Sequence, residues 1–231
     1  MNDDRNNRRF LEFLSLSLLL GLIAAVGALL FFAWLSNEML AGETAHFDAI
    51  TRDFIHQFAS PTLTATMRGI SFIGSSLFLT TASIAMFIWF MSRHGRRDAY
   101  LFGITMLGAA ILNTTLKLTF KRPRPVPFFN LLPPESFSFP SGHSLASFCF
   151  FGALATILAA RIHNRTIHFT VWIIASILVF SIGLSRIYLG VHYTTDVLAG
   201  FTAALIWILT VGFVEGRIAR FRERRQIADI H

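Results

Sequence analysis

Long apolar runs alternate along the chain with short polar connections. Six of the runs approach or reach the roughly 17 to 25 residues that an α-helix needs to cross a hydrocarbon core of ~30 Å. They cover Phe10–Leu35, Gly69–Met91, Ala99–Leu118, Ser144–Ala160, Phe169–Leu189 and Thr195–Val214. The first run is too long for the apolar part of a signal peptide, so it counts as a helix. The pattern predicts an all-α bundle of six transmembrane helices, and the absence of repeats or linkers predicts one domain over residues 1–231.

The connection between the first and second runs has its own periodicity. Its apolar positions recur at helical spacing: Phe47, Ile50, Phe54, Ile55 and Phe58. Asp48, Arg52 and Asp53 lie between them, a pattern typical of a helix in the membrane interface. Ser60 and Pro61 then predict an N-cap and a first-turn proline.

Composition supports a membrane protein. Hydrophobic residues make up 54% and charged residues 14% of the chain, against about 25% charged in an average soluble domain. A net charge of +7 would favour nucleic acid as a partner of a soluble protein. Here the arginines cluster at the ends of apolar runs, so we expect the lipid bilayer to be the partner of the positive charge. We expect no nucleic acid and no obligate protein partner. The single cysteine, Cys149, excludes an intramolecular disulfide and predicts core packing.

Positive charge is unevenly distributed between the connections. Thirteen of the twenty Lys and Arg residues fall on one side: Arg5, Arg8, Arg9, Arg93, Arg96, Arg97, Arg161, Arg165, Arg217, Arg220, Arg222, Arg224 and Arg225. The positive-inside rule makes that side cytoplasmic. The sequence therefore predicts a multi-pass cell-membrane protein with both termini inside and the first, third and fifth connections outside.

Three polar clusters interrupt the apolar pattern on the predicted outer side. They are Lys117–Pro125, Pro140–His143 and Ser185–Asp196. All three lie at the outer ends of the third to sixth predicted helices, so they can converge on one site. Clustered cations, two histidines and a carboxylate suit chemistry on a phosphate.

His192 and Asp196 are four residues apart, which places them on one face of a starting helix. The carboxylate can accept the Nδ1 proton, fix the tautomer and leave Nε2 free to attack phosphorus. The alternative is an interfacial histidine beside an aspartate that favours a helix start.

The second cluster precedes the fourth apolar run. Gly142 allows the backbone close to a ligand, and the amides of Gly142 and His143 with the Ser141 hydroxyl can cradle phosphate oxygens. An ordinary turn and helix cap is the alternative.

Three cations bracket the histidines. Arg124 and Arg186 suit fork-like binding of phosphate oxygens, and Lys117 suits a point contact. Lys121 and Arg122 fall between these positions, and we interpret them as contacts to anionic headgroups. Asn113, one turn before Lys117, can orient that lysine or bond a neighbouring helix.

A metal site is the alternative use of His143, His192 and Asp196. The surrounding cations argue against it, because they already supply the positive charge that a metal would bring. We therefore predict no metal and no cofactor.

Together the clusters resemble the three signature motifs of the type-2 phosphatidic acid phosphatase superfamily, namely Lys-x6-Arg-Pro, Pro-Ser-Gly-His and Ser-Arg-x5-His-x3-Asp. Every motif position is matched, and the six-helix pattern extends the likeness to the integral membrane lipid phosphatase branch. The resemblance implies a metal-independent reaction with a phosphohistidine intermediate. In it His192 attacks, Asp196 orients His192, and His143 protonates the leaving oxygen and then activates water. It assigns the phosphoryl oxygens to Lys117, Arg124, Ser141, Gly142 and Arg186. The residues alone do not decide which histidine attacks.

The leading hypothesis is a phosphatase for membrane lipid phosphates or diphosphates, such as undecaprenyl diphosphate, phosphatidylglycerophosphate or phosphatidic acid. Phosphotransfer from a lipid to another acceptor would use the same site. A lipid or anion transporter is the non-enzymatic alternative, although binding alone needs no His–Asp pair beside a second histidine. Vanadate-dependent haloperoxidases share the motifs, but six membrane spans disfavour that interpretation.

The predicted outer loop from Pro125 to Pro134 is unusually apolar. It contains Val126, Phe128, Phe129, Leu131 and Leu132. One interpretation is a lid edge that touches lipid chains as they enter sideways. The other is packing that closes the loop over the bundle.

Overall fold

The computed structural model describes residues 2–93, 95–132 and 135–228, with side chains between residues 19 and 218 of those ranges and at Phe221. All regular secondary structure in these ranges is helical, which confirms the all-α prediction. The helices are α1 (Asn2–Ala41), α2 (Ala45–His56), α3 (Pro61–Ile73), α4 (Ser76–Arg93), α5 (Arg96–Phe120), α6 (Gly142–Ala159), α7 (Arg165–Tyr188) and α8 (Thr194–Ala228). The basic side chains of the two tails, at 5, 8, 9, 220, 222, 224 and 225, and Pro134 of the loop between α5 and α6 lie outside the described side chains.

Six of these helices are long and apolar enough to cross a membrane, which confirms the predicted number of spans. The candidate spans are Leu19–Ala41, Ser76–Arg93, Arg96–Phe120, Gly142–Ala159, Arg165–Tyr188 and Thr194–Ile218. Helix α1 extends beyond the predicted run at both ends because no proline interrupts residues 2–41. It ends before Gly42, whose φ of 82° lies in the left-handed region that glycine tolerates.

The second predicted run, Gly69–Met91, is wrong at its start. The chain breaks between α3 and α4, where Gly74 follows Ile73 and the Ser75 hydroxyl accepts a hydrogen bond from the Phe78 amide at 3.2 Å. A Cβ atom at position 74 would lie 2.4 Å from Cγ2 of Ile182. The missing side chain therefore lets the break approach α7 closely, and α3 packs as a short helix instead of starting the span.

Helix α2 is the predicted segment between the first two spans, but its faces are arranged differently from a soluble amphipathic helix. Its exposed side chains include Phe47, Ile50 and Phe54, whereas Asp48 is completely buried. Asp48 thus faces the bundle together with Ile55, which packs against the Tyr188 cluster, while these three apolar side chains point outward. The predicted cap that follows is present, since the Ser60 hydroxyl accepts a hydrogen bond from the Leu63 amide at 3.3 Å.

Helix α6 occupies the middle of the bundle and packs against α5, α7 and α8, while α1 packs against α8. Leu145 and Cys149 of α6 form a buried cluster with Ala203 and Ala204 of α8. The predicted core role of Cys149 agrees with its complete burial. This packing brings the end of α5, the start of α6, the end of α7 and the start of α8 to the same end of the molecule.

The segment between α5 and α6 closes over that end. Its backbone donates a hydrogen bond from Phe128 N to Leu189 O of the α7–α8 turn at 3.0 Å and one from Ser141 N to Asp196 O in the first turn of α8 at 2.9 Å. The Phe128 ring stacks on His56 of α2 with centroids 3.9 Å apart. The Phe129 ring stacks on Tyr188 at 5.4 Å. These two rings therefore pack the loop onto α2 and α7 and are not among the residues that line the cavity described below, which favours the packing interpretation for them.

Candidate active site

A cavity of about 1020 Å³ opens at the end of the bundle where the three polar clusters meet. Six of the eight predicted site residues line it: Lys117, Arg124, Gly142, His143, Arg186 and His192. Asp196 lies behind His192 with no exposed surface, and Ser141 is equally buried at the start of α6. The fold therefore brings together residues from four helices and two connections that are up to 79 positions apart in the chain.

His192 lies in the tight turn between α7 and α8, which Gly190 permits by adopting a φ of 72°. Its Nδ1 is 3.3 Å from Oδ2 of Asp196, in the first turn of α8. Its Nε2 is 3.0 Å from Nη1 of Arg124. Because a guanidinium only donates hydrogen bonds, Nε2 is the acceptor and Nδ1 carries the proton toward Asp196. This tautomer leaves the Nε2 lone pair on the cavity side.

Burial controls the protonation of His192. It lowers the pKa of His192 to about 4, although the hydrogen bond and negative charge of Asp196 act to raise it. His192 is therefore neutral near pH 7, as a nucleophile or base must be.

Asp196 is held by contacts to both of its oxygens. Oδ1 accepts a hydrogen bond from Arg122 at 2.7 Å. Oδ2 accepts one from the Tyr193 amide at 2.9 Å and one from the Ser138 hydroxyl. Sequence reasoning missed Ser138, because its only signal is a small polar residue two positions before the Pro140 cluster.

Arg122 is not a headgroup contact, so that prediction is wrong. Its side chain is 11% exposed and forms ion pairs of 2.7 Å with Asp196 and 2.8 Å with Asp48. Burial acts to lower the pKa of Arg122, but the two carboxylates outweigh it and raise the pKa above its usual value. The site thus includes Asp48 of α2, which the sequence alone does not connect to it. The adjacent Lys121 is exposed.

The three predicted cations surround the cavity. Arg124 donates to the carbonyl oxygens of Ser136 at 2.6 Å and Val191 at 2.8 Å, and burial lowers its pKa. Lys117 donates to the Phe137 carbonyl, and Arg186 donates to the Ser71 hydroxyl. These contacts fix the cations while their remaining N–H groups stay available to a ligand.

At the start of α6, Ser141 does not take the phosphate-binding position that the sequence predicts for it. The Ser141 hydroxyl accepts hydrogen bonds from the Ser144 amide at 3.4 Å and the Ser144 hydroxyl at 3.0 Å. It therefore serves as the helix cap and does not line the cavity. Gly142 and His143 do line it. Because they stand in the first turn of α6, their amides have no partner within the helix and suit an anion.

Two further sequence hypotheses concern Asn113 and a metal. The Asn113 side chain lies beside Gly142, where a Cβ atom would be 3.1 Å from its Oδ1. That oxygen is buried without a hydrogen-bond partner among the described residues, so Asn113 does not bond to Lys117. Across the described ranges, no group of three or more His, Cys, Asp or Glu side chains is placed to hold a metal ion. The absence of a metal in the reaction stays a prediction.

Comparison with known proteins identifies the family. The PAP2 superfamily matches residues 98–218. Phosphatidylglycerophosphatase B of Bacillus subtilis is 36% identical over 169 residues, which cover 71% of this chain and 81% of that protein. Undecaprenyl-diphosphatase BcrC of the same organism is 32% identical over 148 residues, covering 62% of this chain and 69% of that protein.

Comparison of the fold with solved structures indicates the same family. The crystal structure of a transmembrane PAP2-type phosphatidylglycerolphosphate phosphatase from Bacillus subtilis superposes with a TM-score of 0.78 at 31% identity. The match covers 85% of this chain and 98% of that one. With its three motifs gathered around one cavity, this chain belongs to the PAP2 superfamily.

Proposed function

We propose that this protein is a membrane lipid phosphatase in which His192 attacks the phosphoryl group and Asp196 orients it. The observation that carries the proposal is the Nε2 atom of neutral His192 at the cavity wall, with Arg124 at 3.0 Å and Asp196 behind it at 3.3 Å. The names of its relatives, a phosphatidylglycerophosphatase and an undecaprenyl diphosphatase, support lipid phosphates or diphosphates as substrates.

The first step forms a phosphohistidine. The Nε2 lone pair attacks phosphorus while the bond from phosphorus to the leaving oxygen breaks, and protonated His143 gives that oxygen its proton. In the resting site Arg124 donates to Nε2, so the arriving phosphoryl oxygens replace Nε2 as its acceptors. Lys117 and Arg186, with the amides at the start of α6, bind the remaining oxygens.

The second step returns the enzyme to its starting state. His143, now neutral, takes a proton from water while the water oxygen attacks phosphorus and the P–N bond to His192 breaks. Inorganic phosphate leaves, and both histidines regain their original protonation. We propose no metal in either step, since the cations supply the positive charge.

A lipid substrate fits the remainder of the cavity. Beyond the polar end, the cavity runs between α4 and α5 and is lined there by side chains such as Leu79, Ile84, Phe87 and Met106. Apolar walls at membrane depth suit an acyl or prenyl chain, so the phosphate can reach the cations while the chain stays in the bilayer. Phosphatidylglycerophosphate, undecaprenyl diphosphate and phosphatidic acid all have this form.

We also propose a membrane orientation and a domain extent for this chain. The arginine distribution supports an active site on the extracytoplasmic face with both termini in the cytoplasm. The superfamily match covers residues 98–218, and the packing of α1 against α8 supports one domain over the whole of residues 1–231.

The test is phosphate release by the purified protein from long-chain lipid phosphates and from a short soluble phosphate ester, with and without EDTA. We expect release from the lipids, no loss in EDTA and no activity in His192→Ala. Activity that disappears in EDTA and returns with a divalent ion would contradict the metal-free mechanism. No release from any lipid phosphate would contradict the proposed function.

The same assay tests the chain-binding part of the cavity. Ala110 of α5 lines the cavity, and a phenylalanine there fills part of it. We expect Ala110→Phe to lower turnover of a long-chain lipid phosphate at least about tenfold, a loss of about 1.4 kcal/mol, with little change for the soluble ester. Ile104 of α5 is exposed and is not among the cavity residues, so Ile104→Phe is the matched control. Equal losses on both substrates would remove the chain-binding assignment.

A further inference from the structure

Two buried carboxylates share one guanidinium beside the cavity. Asp48 and Asp196 have no exposed surface, and the side chain of Arg122 between them is 11% exposed. Burying a carboxylate is costly unless it is paired and hydrogen-bonded. Asp48 is satisfied by Arg122 at 2.8 Å, by the Thr195 amide at 2.9 Å and by the Thr195 hydroxyl at 2.7 Å. The network therefore joins α2 to the first turn of α8 across 147 residues of sequence.

The contacts of Arg122 determine how Asp196 faces His192. Arg122 occupies Oδ1 of Asp196, at 2.7 Å. This leaves Oδ2 for the His192 side, where it is 3.3 Å from Nδ1. A carboxylate with one oxygen pinned in this way cannot rotate, so its second oxygen is held where it fixes the imidazole tautomer.

Arg122 is itself held in place from three sides. Asp48 accepts a hydrogen bond from its Nη2, the Thr195 hydroxyl accepts one from its Nη1 at 2.8 Å, and the Tyr193 ring centroid lies 4.0 Å from its Cζ atom. Arg122 does not line the cavity. Its function therefore differs from that of Arg124, which does line the cavity two residues later.

Asp48 also sets the charge beside Asp196. An unpaired guanidinium at 2.7 Å would draw the electron density of Asp196 away from His192, because low dielectric strengthens the interaction. With Asp48 present, the Asp48–Arg122 pair is neutral as a whole. Asp196 then keeps its negative charge for the histidine.

From this geometry we propose that Asp48 and Arg122 are positioning residues for the reaction, which lock Asp196 against His192 and make α2 a part of the catalytic unit. The proposal rests on the proposed function, because it concerns the rate at which His192 attacks. It predicts a loss in the chemical step without a loss in phosphate binding.

The experiment measures kcat and KM on a short soluble phosphate ester, and inhibition by vanadate, for Asp48→Asn, Arg122→Gln and Arg122→Lys in the full-length protein. We expect kcat to fall by about 10- to 100-fold, by analogy with the loss found when the hydrogen-bond partner that orients a metal-ligating side chain is removed. KM and vanadate inhibition should change less than about threefold, since Arg122 does not face the cavity. Arg122→Lys should retain more of the rate than Arg122→Gln. Lysine keeps the positive charge but lacks the planar guanidinium that binds both carboxylates at once.

Two matched controls are available. Arg68→Gln removes an exposed cation from α3, and Asp53→Asn removes an exposed carboxylate from α2. Both should keep wild-type kcat. Each variant is compared with wild type by thermal unfolding in detergent. If Arg122→Gln does not fold, the proposal is judged on Asp48→Asn, which preserves the side-chain shape, and on Arg122→Lys, which preserves the charge.

A pH profile separates charge coupling from general damage. The charged and titratable groups around His192 come from every surrounding element: Asp48 and Arg52 of α2, Lys117 of α5, Arg122 and Arg124 of the connection, His143 of α6, Arg186 of α7, Tyr193 of the turn and Asp196 of α8. Asp48→Asn removes a negative charge and should shift the acidic limb of phosphoenzyme formation to lower pH. Arg122→Gln removes a positive charge and should shift it to higher pH.

The pH profiles and the kinetic constants of the variants together test the proposal. Opposite pH shifts with a loss confined to kcat support the proposal. Wild-type kcat in folded Asp48→Asn and Arg122→Lys would overturn it. The proposal would also be overturned if KM rose and vanadate inhibition weakened by as large a factor as kcat fell, because that result would assign Arg122 to phosphate binding. A wild-type protein that releases no phosphate would instead contradict the proposed function, so the two failures are distinguishable.

Discussion

At the scale of single residues, His192 is subject to two opposing influences. Burial disfavours its charged form, while the hydrogen bond and charge of Asp196 favour that form. Burial is the larger influence, which keeps the imidazole neutral and nucleophilic well below the pH at which a solvated histidine becomes protonated.

A pH measurement follows from this balance. Because the pKa of His192 in the folded protein is lowered from 6.5 to about 4, the neutral form persists as the pH falls from 7 toward 5. We expect the single-turnover rate of phosphoenzyme formation, corrected for the separately measured titration of the substrate, to fall only as the pH approaches 4. An acidic limb centred near 6.5 would show that His192 titrates like a solvated histidine.

Residues also show where sequence reasoning reaches its limit. The local spacing of His192 and Asp196 predicts their contact, because four residues are one helical turn. The contact of Asp196 with Arg122 spans 74 residues, and that of Asp48 with Thr195 spans 147. Such pairs depend on tertiary packing, so a motif can contain Arg122 without revealing its partner. The sequence motif predicts Ser141 at the phosphate, whereas the structure places its hydroxyl as the cap of its own helix.

At the scale of helices, α2 shows how a membrane changes the meaning of amphipathicity. Its periodicity predicts the helix, but the side that faces the protein carries the buried Asp48 beside Ile55, and three large apolar side chains lie on the exposed side. An apolar side chain exposed to water costs roughly 1.5–3 kcal/mol relative to burial, so Phe47, Ile50 and Phe54 would be unfavourable on a soluble surface. In a lipid interface the same face is stabilised, and Asp48 is free to join the network at the site.

The break between α3 and α4 shows a second limit at this scale. Hydropathy runs continuously through residues 69–91, so it predicts one helix. The structure places a close approach of Gly74 to Ile182 of α7 there, and Cδ2 of His143 lies 3.3 Å from the position of a Cβ atom. A contact with another helix thus sets the boundary.

At the scale of the whole molecule, the bundle places its polar side chains at one end and the arginine-rich connections at the other. The number of spans follows from hydropathy, because each apolar run must cross the bilayer as a helix that satisfies its own backbone. The cavity between α4 and α5 does not follow from it, since it depends on how far those helices lie apart.

The proposed orientation has a direct test. Cys149 has no exposed surface, so an introduced cysteine is the expected target of an impermeant thiol reagent. Leu132 of the loop between α5 and α6 is 90% exposed, and Arg96 is exposed at the opposite end of the bundle. We expect intact cells to label Leu132→Cys and not Arg96→Cys, and permeabilised cells to label both. The reverse pattern in intact cells would place the site in the cytoplasm.

The central claim is that one histidine becomes phosphorylated and the other transfers protons. The most direct measurement traps the phosphoenzyme in His143→Ala, using a substrate with a good leaving group, and locates the phosphate by mass spectrometry under conditions that preserve phosphohistidine. We predict phosphate on His192 in this variant and none in His192→Ala. Phosphate on another residue of an active enzyme, or turnover by His192→Ala at the wild-type rate, would contradict the mechanism.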